Sequence, residues 1–162
     1  MTFRTGIGYD VHPLREGLPL VLGGVKISFS KGLAGYSDAD VLLHAVMDAL
    51  LGAAALGDIG THFPPGDSRY KGISSLLLLK EVARLLKDTG YAVSNIDSTI
   101  VAQCPRLSPY LAAMRQNIAA ALNVEESLIS VKATTTEKLG FTGRQEGIAA
   151  YAVAMIVATE GQ

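Results

Sequence analysis

Charged side chains are scarce in this sequence. Lys and Arg number 14 and Asp and Glu number 15, for a net charge of -1, and charged residues make up 18% of the chain against 49% hydrophobic ones. A charge so close to zero argues against a nucleic acid or an acidic membrane as the partner. A protein this poor in charge is also expected to bury part of its apolar surface between subunits.

Cysteine is almost absent as well. The single residue, Cys104, excludes an internal disulfide framework and fits a reducing compartment. The first residues show neither an apolar signal core nor a basic leader, so we expect a cytoplasmic protein. The longest apolar run, residues 148–158, is about half the length of a membrane-spanning helix. With no repeat or linker, residues 1–162 are expected to form one domain.

Two motifs of common enzyme classes are missing. There is no Gly-x-Ser-x-Gly elbow, and Cys104 precedes Pro105 without a histidine nearby in sequence, so no covalent nucleophile is expected. A phosphate-binding loop with its lysine is missing too, which argues against a nucleoside triphosphatase. Any chemistry should therefore depend on positioning and on neutralisation of charge.

Hydrophobic periodicity and turn residues predict an α+β fold. The predicted strands cover residues 3–12 (ended by Pro13), 91–103, 128–134 and 147–158, with a hairpin around Gly23-Gly24. The predicted helices cover residues 38–55 and 73–88 and a segment opened by Ser108-Pro109. The last strand is apolar on both faces, as a buried central or interface strand would be. This order predicts a two-layer domain with a mixed β-sheet and helices on one face.

The first predicted helix begins with a capping pattern. Ser37 is followed three residues later by Asp40 and then by an apolar run, which is a capping-box start. His44 comes four residues after Asp40, so both side chains are expected on one side of the helix. Two interpretations stay open: an imidazole beside carboxylates in a site, or a capped helix with a packed histidine.

Asp10 and His12 share one face of the first predicted strand, which Gly6 and Gly8 should leave open. This pair suits either a metal ion or a simple hydrogen bond at a strand end. Together with His44 it makes two histidines and a carboxylate, the pattern of a reactive zinc with an open position. The third histidine, His62, falls in residues 61–72, a predicted mobile surface loop, and is expected to be only solvated.

A second candidate site follows the strand predicted over residues 128–134. Three threonines, Thr134 to Thr136, precede Glu137 and a turn bracketed by glycines. Hydroxyls and free backbone amides at a strand end suit phosphate oxygens, and Glu137 can hold a hard cation such as Mg²⁺ that bridges phosphates. A threonine-rich strand end with an ordinary turn is the other interpretation.

Several motifs together resemble the 2-C-methyl-D-erythritol 2,4-cyclodiphosphate synthase family of the non-mevalonate isoprenoid pathway. They span nearly the whole chain in the family's order. The one nearest the C-terminus, which begins at residue 132, is the most specific. They are Gly8-Tyr9-Asp10-Val11-His12, Ser37-Asp38-Ala39-Asp40-Val41 with His44, residues 51–60, Ala102-Gln103 with Pro105, and residues 132–144 followed by Glu146-Gly147-Ile148-Ala149. Three departures are Tyr36, where a histidine is usual, Pro65-Gly66, where Asp-Thr is common, and Arg106, which replaces a frequent lysine but keeps its charge.

The resemblance implies a homotrimer with active sites between neighbouring subunits and a CDP-linked substrate. The implied ligands of Zn²⁺, or of another divalent transition metal, are Asp10, His12 and His44. Glu137 is the implied ligand of a second ion, Mg²⁺ or Mn²⁺, and it is expected to act in catalysis with Thr135.

The implied substrate contacts fall into three groups. The methylerythritol part is held by Ser37, Asp58, Gly60 and Phe63. The cytidine and phosphate pocket, given by the adjacent subunit, consists of Ala102, Pro105, Arg106, Leu107, Ala133, Thr134 and Thr135. Phe141 and Arg144 match a hydrophobic channel on the trimer axis, where some members bind an isoprenoid diphosphate.

The implied reaction converts 4-diphosphocytidyl-2-C-methyl-D-erythritol 2-phosphate to 2-C-methyl-D-erythritol 2,4-cyclodiphosphate and CMP. The enzyme would be a metal-dependent phosphorus–oxygen lyase. Two other functions stay open: a metal-dependent phosphohydrolase that activates water at the same site, and a trimeric sensor of an isoprenoid diphosphate.

Overall fold

The computed structural model describes residues 2–159, so both ends of the domain predicted over residues 1–162 lie outside the described residues. The strands are β1 (Phe3–Glu16), β2 (Leu20–Leu22), β3 (Val25–Ile27), β4 (Lys31–Leu33), β5 (Tyr91–Val101), β6 (Ile129–Thr134) and β7 (Gly147–Ala158). Five of them form one sheet in the order β4-β1-β7-β5-β6, and β2 pairs with β3 in the predicted hairpin. Only β5 and β6 pair in parallel in the large sheet. The predicted α+β class with a mixed sheet is confirmed.

The helices pack against one face of this sheet. They are α1 (Val41–Ala53), α2 (Ile59–His62), α3 (Ser75–Asp88), α4 (Leu111–Leu122) and α5 (Gly140–Gly143), with short 3-10 turns at Ser68–Tyr70, Ser108–Tyr110 and Glu126–Leu128. Helix α1 packs on β1 and β7, while α3 and α4 contact β5 and β6 and each other. Among the residues described, none of the helices has the length and apolar character needed to cross a membrane.

Helix α1 lies very close to the backbone of β1. A Cβ atom added at Gly8 would lie 1.8 Å from the Ala45 carbonyl oxygen, and one at Gly6 would lie 2.0 Å from the Ala49 carbonyl oxygen. The sequence predicted that the two glycines leave this face of the strand open. That prediction is wrong, because α1 packs directly against them. They admit the helix, and 11 of the 13 residues of α1 are buried as a result.

Helix α1 begins three residues later than predicted, because Asp40 itself is the N-cap. Its carboxylate accepts hydrogen bonds from the amides of Leu43 (3.1 Å), Gly23 (2.9 Å) and Gly24 (2.7 Å). The predicted capping box with Ser37 is therefore wrong, and the Asp40 carboxylate points to the β2–β3 turn rather than toward His44. Burial raises the pKa of Asp40 to about 6, although the backbone amides favour its charged form.

Strand β1 continues past Pro13, which was predicted to end it. The Pro13 carbonyl accepts from the Ala34 amide at 3.0 Å, and the Leu14 amide donates to the Glu146 carbonyl at 2.9 Å. Pro13 has no backbone N–H to donate, but the strand continues because its pairing with β7 ends at Pro13 and its pairing with β4 begins at Leu14.

The predicted surface loop over residues 61–72 contains regular turns. Helix α2 ends at His62, and a 3-10 turn covers Ser68–Tyr70. His62 is half-buried, and its Nε2 lies 2.7 Å from the Leu56 carbonyl oxygen. His62 is thus a structural residue of this segment rather than a solvated one.

The face of the sheet opposite the helices is apolar and exposed. Its exposed side chains are Phe3, Ile7, Tyr9, Val11, Tyr151 and Val153. The rings of Tyr9 and Tyr151 lie with their centroids 4.8 Å apart. Strand β7 is therefore apolar on both faces, as predicted, and it lies at the centre of the sheet.

Substitution Gly8→Ala should destabilise the protein, because the added methyl group cannot fit against the Ala45 carbonyl unless α1 moves. Overpacking of this kind costs about 1–3 kcal/mol or more. The matched control is Gly52→Ala, at an exposed position of α1 with nothing within 4 Å of the added Cβ. It should stabilise by about 0.5–1 kcal/mol through helix propensity. Urea unfolding at equal protein concentration measures both, and equal stability of the two variants would contradict the packing argument.

Candidate functional site

Three side chains from two elements meet at one point. The Asp10 Oδ2 atom lies 2.9 Å from His12 Nε2 and 2.9 Å from His44 Nδ1, and the two nitrogens are 3.0 Å apart. Alternation along β1 places Asp10 and His12 on the same face, and the close approach of α1 brings His44 from its first turn to meet them. The grouping of these three residues, predicted from the sequence, is present in the structure.

The donor atoms of this group suit a cation. His12 Nδ1 lies 2.9 Å from the Ala34 carbonyl oxygen. A carbonyl only accepts, so Nδ1 carries a proton, and in the neutral ring Nε2 has a lone pair available to a cation at the point shared with Asp10 and His44. A carboxylate oxygen and imidazole nitrogens of this kind are the ligands of zinc and related divalent metals. The residues therefore fit the metal that the sequence predicts.

The charges in this group depend on each other. Burial opposes ionisation of Asp10, yet hydrogen bonds with His12 and His44 outweigh it and hold the pKa of the Asp10 carboxyl well below its usual range. Burial likewise opposes the charged form of His12, but the hydrogen bond and charge of Asp10 prevail and raise the pKa of His12. A bound cation must displace that proton, so its affinity should fall as the pH is lowered.

A cavity of about 240 Å³ adjoins the three residues. The lining side chains are Asp10, His12, Tyr36, Ser37, His44, Ile59, Gly60, Phe63, Pro65, Tyr70 and Leu78. Six of them were predicted as site residues, whereas Ile59, Tyr70 and Leu78 were missed because single apolar residues in a sequence carry no signal of a cavity. Tyr36 and Pro65 are departures from the family pattern, and the sequence predicted no contact for either.

Asp58 is placed beside this cavity rather than in its lining. It is the N-cap of α2, and its Oδ1 atom accepts from the Thr61 amide and the Thr61 hydroxyl, both at 2.9 Å. Its carboxylate is exposed to solvent. Its role in binding stays a prediction.

A second cavity, of about 580 Å³, lies where β5 and β6 end. The lining residues are Ala102, Gln103, Cys104, Pro105, Arg106, Leu107, Ser108, Leu111, Ala133, Thr134, Thr135 and Glu137. Parallel neighbours end at the same edge of a sheet, which is why segments distant in sequence meet here. All eight residues predicted for the cytidine and phosphate pocket and the second metal are among them, and the structure thus brings them together.

The turn after β6 has an unusual backbone. Glu137 and Lys138 both adopt left-handed conformations, with φ of 53° and 65°. A Cβ atom at Gly143 would lie 2.2 Å from the Lys138 carbonyl carbon, so glycine is required for the turn to close. Such conformations cost free energy and are concentrated at ligand sites. The Lys138 amide donates to the Gln103 side chain at 3.0 Å, which ties this turn to the end of β5.

The predicted site residues do not form one cluster within the chain. The two cavities share no lining residue, so Glu137 does not join the group of Asp10, His12 and His44. Phe141 and Arg144 lie on and after α5 and line neither cavity, and Arg144 pairs with Glu146 at 3.1 Å.

Comparison with known proteins places the chain among close relatives. The YgbB family model matches residues 3–157. A curated 2-C-methyl-D-erythritol 2,4-cyclodiphosphate synthase from Syntrophomonas wolfei is 66% identical over 153 residues, which cover 94% of this chain and 98% of that protein. The synthase of the same name from Moorella thermoacetica is 64% identical over 157 residues, with 97% and 96% coverage.

Solved structures agree with this similarity. The bifunctional IspDF from Campylobacter jejuni matches with a TM-score of 0.93 and 45% identity over 97% of this chain. This chain spans only 42% of that bifunctional protein. IspF from Plasmodium falciparum, solved as a CDP complex, matches with a TM-score of 0.85 and 35% identity over 98% of this chain and 97% of its own.

Replacement of His44 by alanine should abolish tight binding of a divalent metal, since it removes one of three converging donors. Wild-type protein should be stabilised against unfolding by added Zn²⁺, by about 2.7 kcal/mol at a free concentration 100 times the Kd. The His44→Ala variant should lose that gain, while His62→Ala, which alters a histidine outside the group, should keep it. Chelator competition measures the affinities directly. Zinc binding by His44→Ala equal to wild type would refute the assignment.

Proposed function

This chain belongs to the YgbB family, and we propose that it converts 4-diphosphocytidyl-2-C-methyl-D-erythritol 2-phosphate to 2-C-methyl-D-erythritol 2,4-cyclodiphosphate and CMP. It is a phosphorus–oxygen lyase of the non-mevalonate isoprenoid pathway. The observation that carries the proposal is the meeting of Asp10, His12 and His44 beside a cavity, in a chain 66% identical to a curated synthase. The alternatives, a phosphohydrolase and an isoprenoid-diphosphate sensor, have no support among these relatives.

Two metal ions are part of this proposal. Asp10, His12 and His44 would hold Zn²⁺ or another divalent transition metal. Glu137, with the substrate's phosphates as the other ligands, would hold Mg²⁺ or Mn²⁺, which commonly binds proteins through one or two carboxylates. Bound there, the ions supply positive charge that offsets the repulsion between the two phosphate groups of the substrate.

The reaction needs positioning more than acid–base catalysis. An oxygen of the 2-phosphate attacks the β-phosphorus of the CDP group, the new P–O bond closes the ring, and the bond to the bridging oxygen breaks so that CMP leaves with the electron pair. The attacking phosphate is already ionised near neutral pH, which agrees with the absence of a nucleophile motif. The chain's contribution is to hold both groups in line.

We assign the first cavity to the methylerythritol part of the substrate. The proposed contacts are Ser37, Asp58, Gly60 and Phe63. The apolar side chains of Ile59, Phe63, Tyr70 and Leu78 line the same space. They would exclude water, and this matters because hydrolysis of the diphosphate is the competing outcome.

The second cavity is assigned to cytidine and the phosphates. The proposed contacts are Ala102, Pro105, Arg106, Leu107, Ala133, Thr134 and Thr135. The Thr135 hydroxyl lies 3.4 Å from Glu137 Oε1. In this contact the hydroxyl donates to Glu137; the contact is long, so the hydroxyl can turn to a phosphate oxygen on which charge develops, and Glu137 would hold the second ion.

We propose a homotrimer with shared sites, as the resemblance implies, and the separation of the two cavities supports sharing between subunits. One substrate must touch both groups of residues, yet within one chain the cavities have no lining residue in common. We propose that the second cavity of one subunit completes the first cavity of its neighbour. The exposed apolar face of the sheet, with Ile7 at 72% exposure, supports an extensive subunit contact.

Three further parts of the proposal depend on the resemblance. One synthase domain would extend over residues 1–162, in the cytoplasm. Phe141 and Arg144 would line the channel on the trimer axis and bind an isoprenoid diphosphate there. Phe141 is 38% exposed, which leaves its ring available for such a contact.

The products of turnover test the proposed reaction. Purified protein with Zn²⁺ and Mg²⁺ is given the CDP-linked substrate, and products are identified by mass spectrometry. We expect a cyclic diphosphate and CMP in equal amounts, and none with His44→Ala. Linear phosphates with inorganic phosphate would support the phosphohydrolase instead.

Light scattering at micromolar concentration should give the mass of a trimer. Ile7→Asp, which puts a charge on the exposed apolar face of the sheet, should shift the protein toward monomers and lower CMP release. The control is Leu77→Asp, at a 55% exposed position on α3. It should stay trimeric. A wild-type monomer with full activity would refute the shared site.

Substitution Glu137→Gln should spare zinc binding but lower turnover by about 10²–10³-fold, the usual cost of one well-placed electrostatic contact. Glutamine keeps the size of the side chain but lacks the charge that a hard cation prefers. Extra Mg²⁺ should therefore restore part of the CMP release. Glu125→Gln, at an exposed residue outside both cavities, is the control. CMP release near wild type at every Mg²⁺ concentration would exclude the second ion at Glu137.

A further inference from the structure

His44 makes contacts on both sides of its ring, and only one side belongs to the proposed metal site. Nδ1 faces Asp10 and His12, whereas Nε2 lies 3.1 Å from the Ser75 hydroxyl and 3.1 Å from the Ser37 hydroxyl. A neutral imidazole carries its proton on one nitrogen only, so whatever sets the proton on Nε2 also decides whether Nδ1 can bind a cation.

The Ser75 hydroxyl donates its proton to Asp38 and not to His44. Its Oγ atom lies 2.5 Å from Asp38 Oδ1, and its backbone amide donates to Asp38 Oδ2 at 3.0 Å. The Asp40 amide also donates to Asp38 Oδ1, at 3.2 Å. An ionised carboxylate only accepts, so the Ser75 proton must point to Asp38 and Ser75 can only accept from His44.

The proton on His44 follows from this chain of contacts. Ser75 is fully buried and His44 nearly so. A bare Nε2 would then place its lone pair against a lone pair of Ser75 Oγ, away from water, and that arrangement is costly. We infer that Asp38, through Ser75, keeps a proton on His44 Nε2, so that Nδ1 offers its lone pair to the site once a cation replaces the hydrogen bond between Nδ1 and Asp10. Both are positioning residues: Asp38 lies within a family motif but was given no role there, and Ser75 lies outside the motifs.

Ser37 cannot do the same work. Its hydroxyl accepts from the Ala39 amide at 3.2 Å, but its own proton has no fixed acceptor among the described contacts. The Ser37 hydroxyl can donate to His44 Nε2 or accept from it, so this contact does not decide which nitrogen of His44 carries the proton. It also lines the first cavity, where its proton remains free for the substrate.

The same contacts tie two helices to the site. Asp38 lies just before α1, and Ser75 is the first residue of α3. The Asp38 amide donates to the Ile73 carbonyl at 3.0 Å, which adds a backbone link between the two segments. The start of α3 is therefore bonded to the segment before α1, and these bonds hold the Ser75 hydroxyl beside His44 as a hydrogen-bond acceptor.

The inference rests on the proposed metal site, and metal affinity tests it without an activity assay. Chelator competition gives the Zn²⁺ affinity of wild type and of the variants Ser75→Ala, Asp38→Asn and the double variant. Ser75→Ala should weaken binding by about 10- to 100-fold, as loss of a hydrogen-bond partner of a metal ligand does. Asp38→Asn should weaken it too, and the double variant should bind as Ser75→Ala does, since Asp38 acts through Ser75. The control is Ser74→Ala, whose hydroxyl makes no capping contact.

A spectroscopic readout separates orientation from general damage. In cobalt-loaded protein each ligand histidine should give a shifted, exchangeable ring N–H signal in the proton NMR spectrum. The signal from His44 Nε2–H should exchange with solvent faster in Ser75→Ala, while that from His12 Nδ1–H, held by the Ala34 carbonyl, should not change. A purely structural effect would alter both.

The outcomes are distinct. Tight zinc binding by wild type with no loss in Ser75→Ala, or additive losses from Asp38→Asn and Ser75→Ala, would overturn the positioning role and leave the proposed metal site intact. A wild-type protein that binds no divalent metal would overturn the metal site and this inference together.

Discussion

The contact between α1 and β1 at Gly6 and Gly8 is the constraint on which the site depends. Without side chains at these positions, the carbonyls of Ala45 and Ala49 approach the strand more closely than any Cβ atom would allow. The same approach brings His44, the residue before Ala45, to within 3.0 Å of the imidazole of His12. A helix displaced by the width of a methyl group would leave His44 too far away to share a ligand.

The start of α1 is held in place by two aspartates with different partners. Asp40 accepts from the β2–β3 turn and caps the helix, and Asp38 accepts from the first residue of α3. These carboxylates accept hydrogen bonds from backbone amides. Without an acceptor, a buried amide would lower the free energy of unfolding. Through them the hairpin, α1 and α3 meet beside one histidine, so its orientation depends on three separate parts of the chain.

Charge explains why the proposed reaction needs two groups of residues. Both reacting groups are phosphates, and the chain offers a site of three converging donors at one place and threonines with Glu137 at another. The left-handed backbone at Glu137 and Lys138 is a cost that an ordinary turn would avoid. In the proposed trimer the two groups face each other across a subunit boundary, which uses the apolar face of the sheet to align them.

The sequence by itself determined the order of the long strands and helices, the mixed α+β class, the shared face of Asp10 and His12 and the family resemblance, because these depend on local periodicity and on motifs. It did not predict the short elements β4, α2 and α5. Tertiary structure decided what depends on partners distant in sequence. Asp40 became the cap of α1 because the amides of Gly23 and Gly24 reach it, and Pro13 stayed within β1 because Ala34 and Glu146 supply the pairing. The role of Gly6 and Gly8 and the link from Asp38 through Ser75 to His44 were equally unreadable in the sequence. Each depends on a helix meeting another element, and no spacing along the chain encodes that distance.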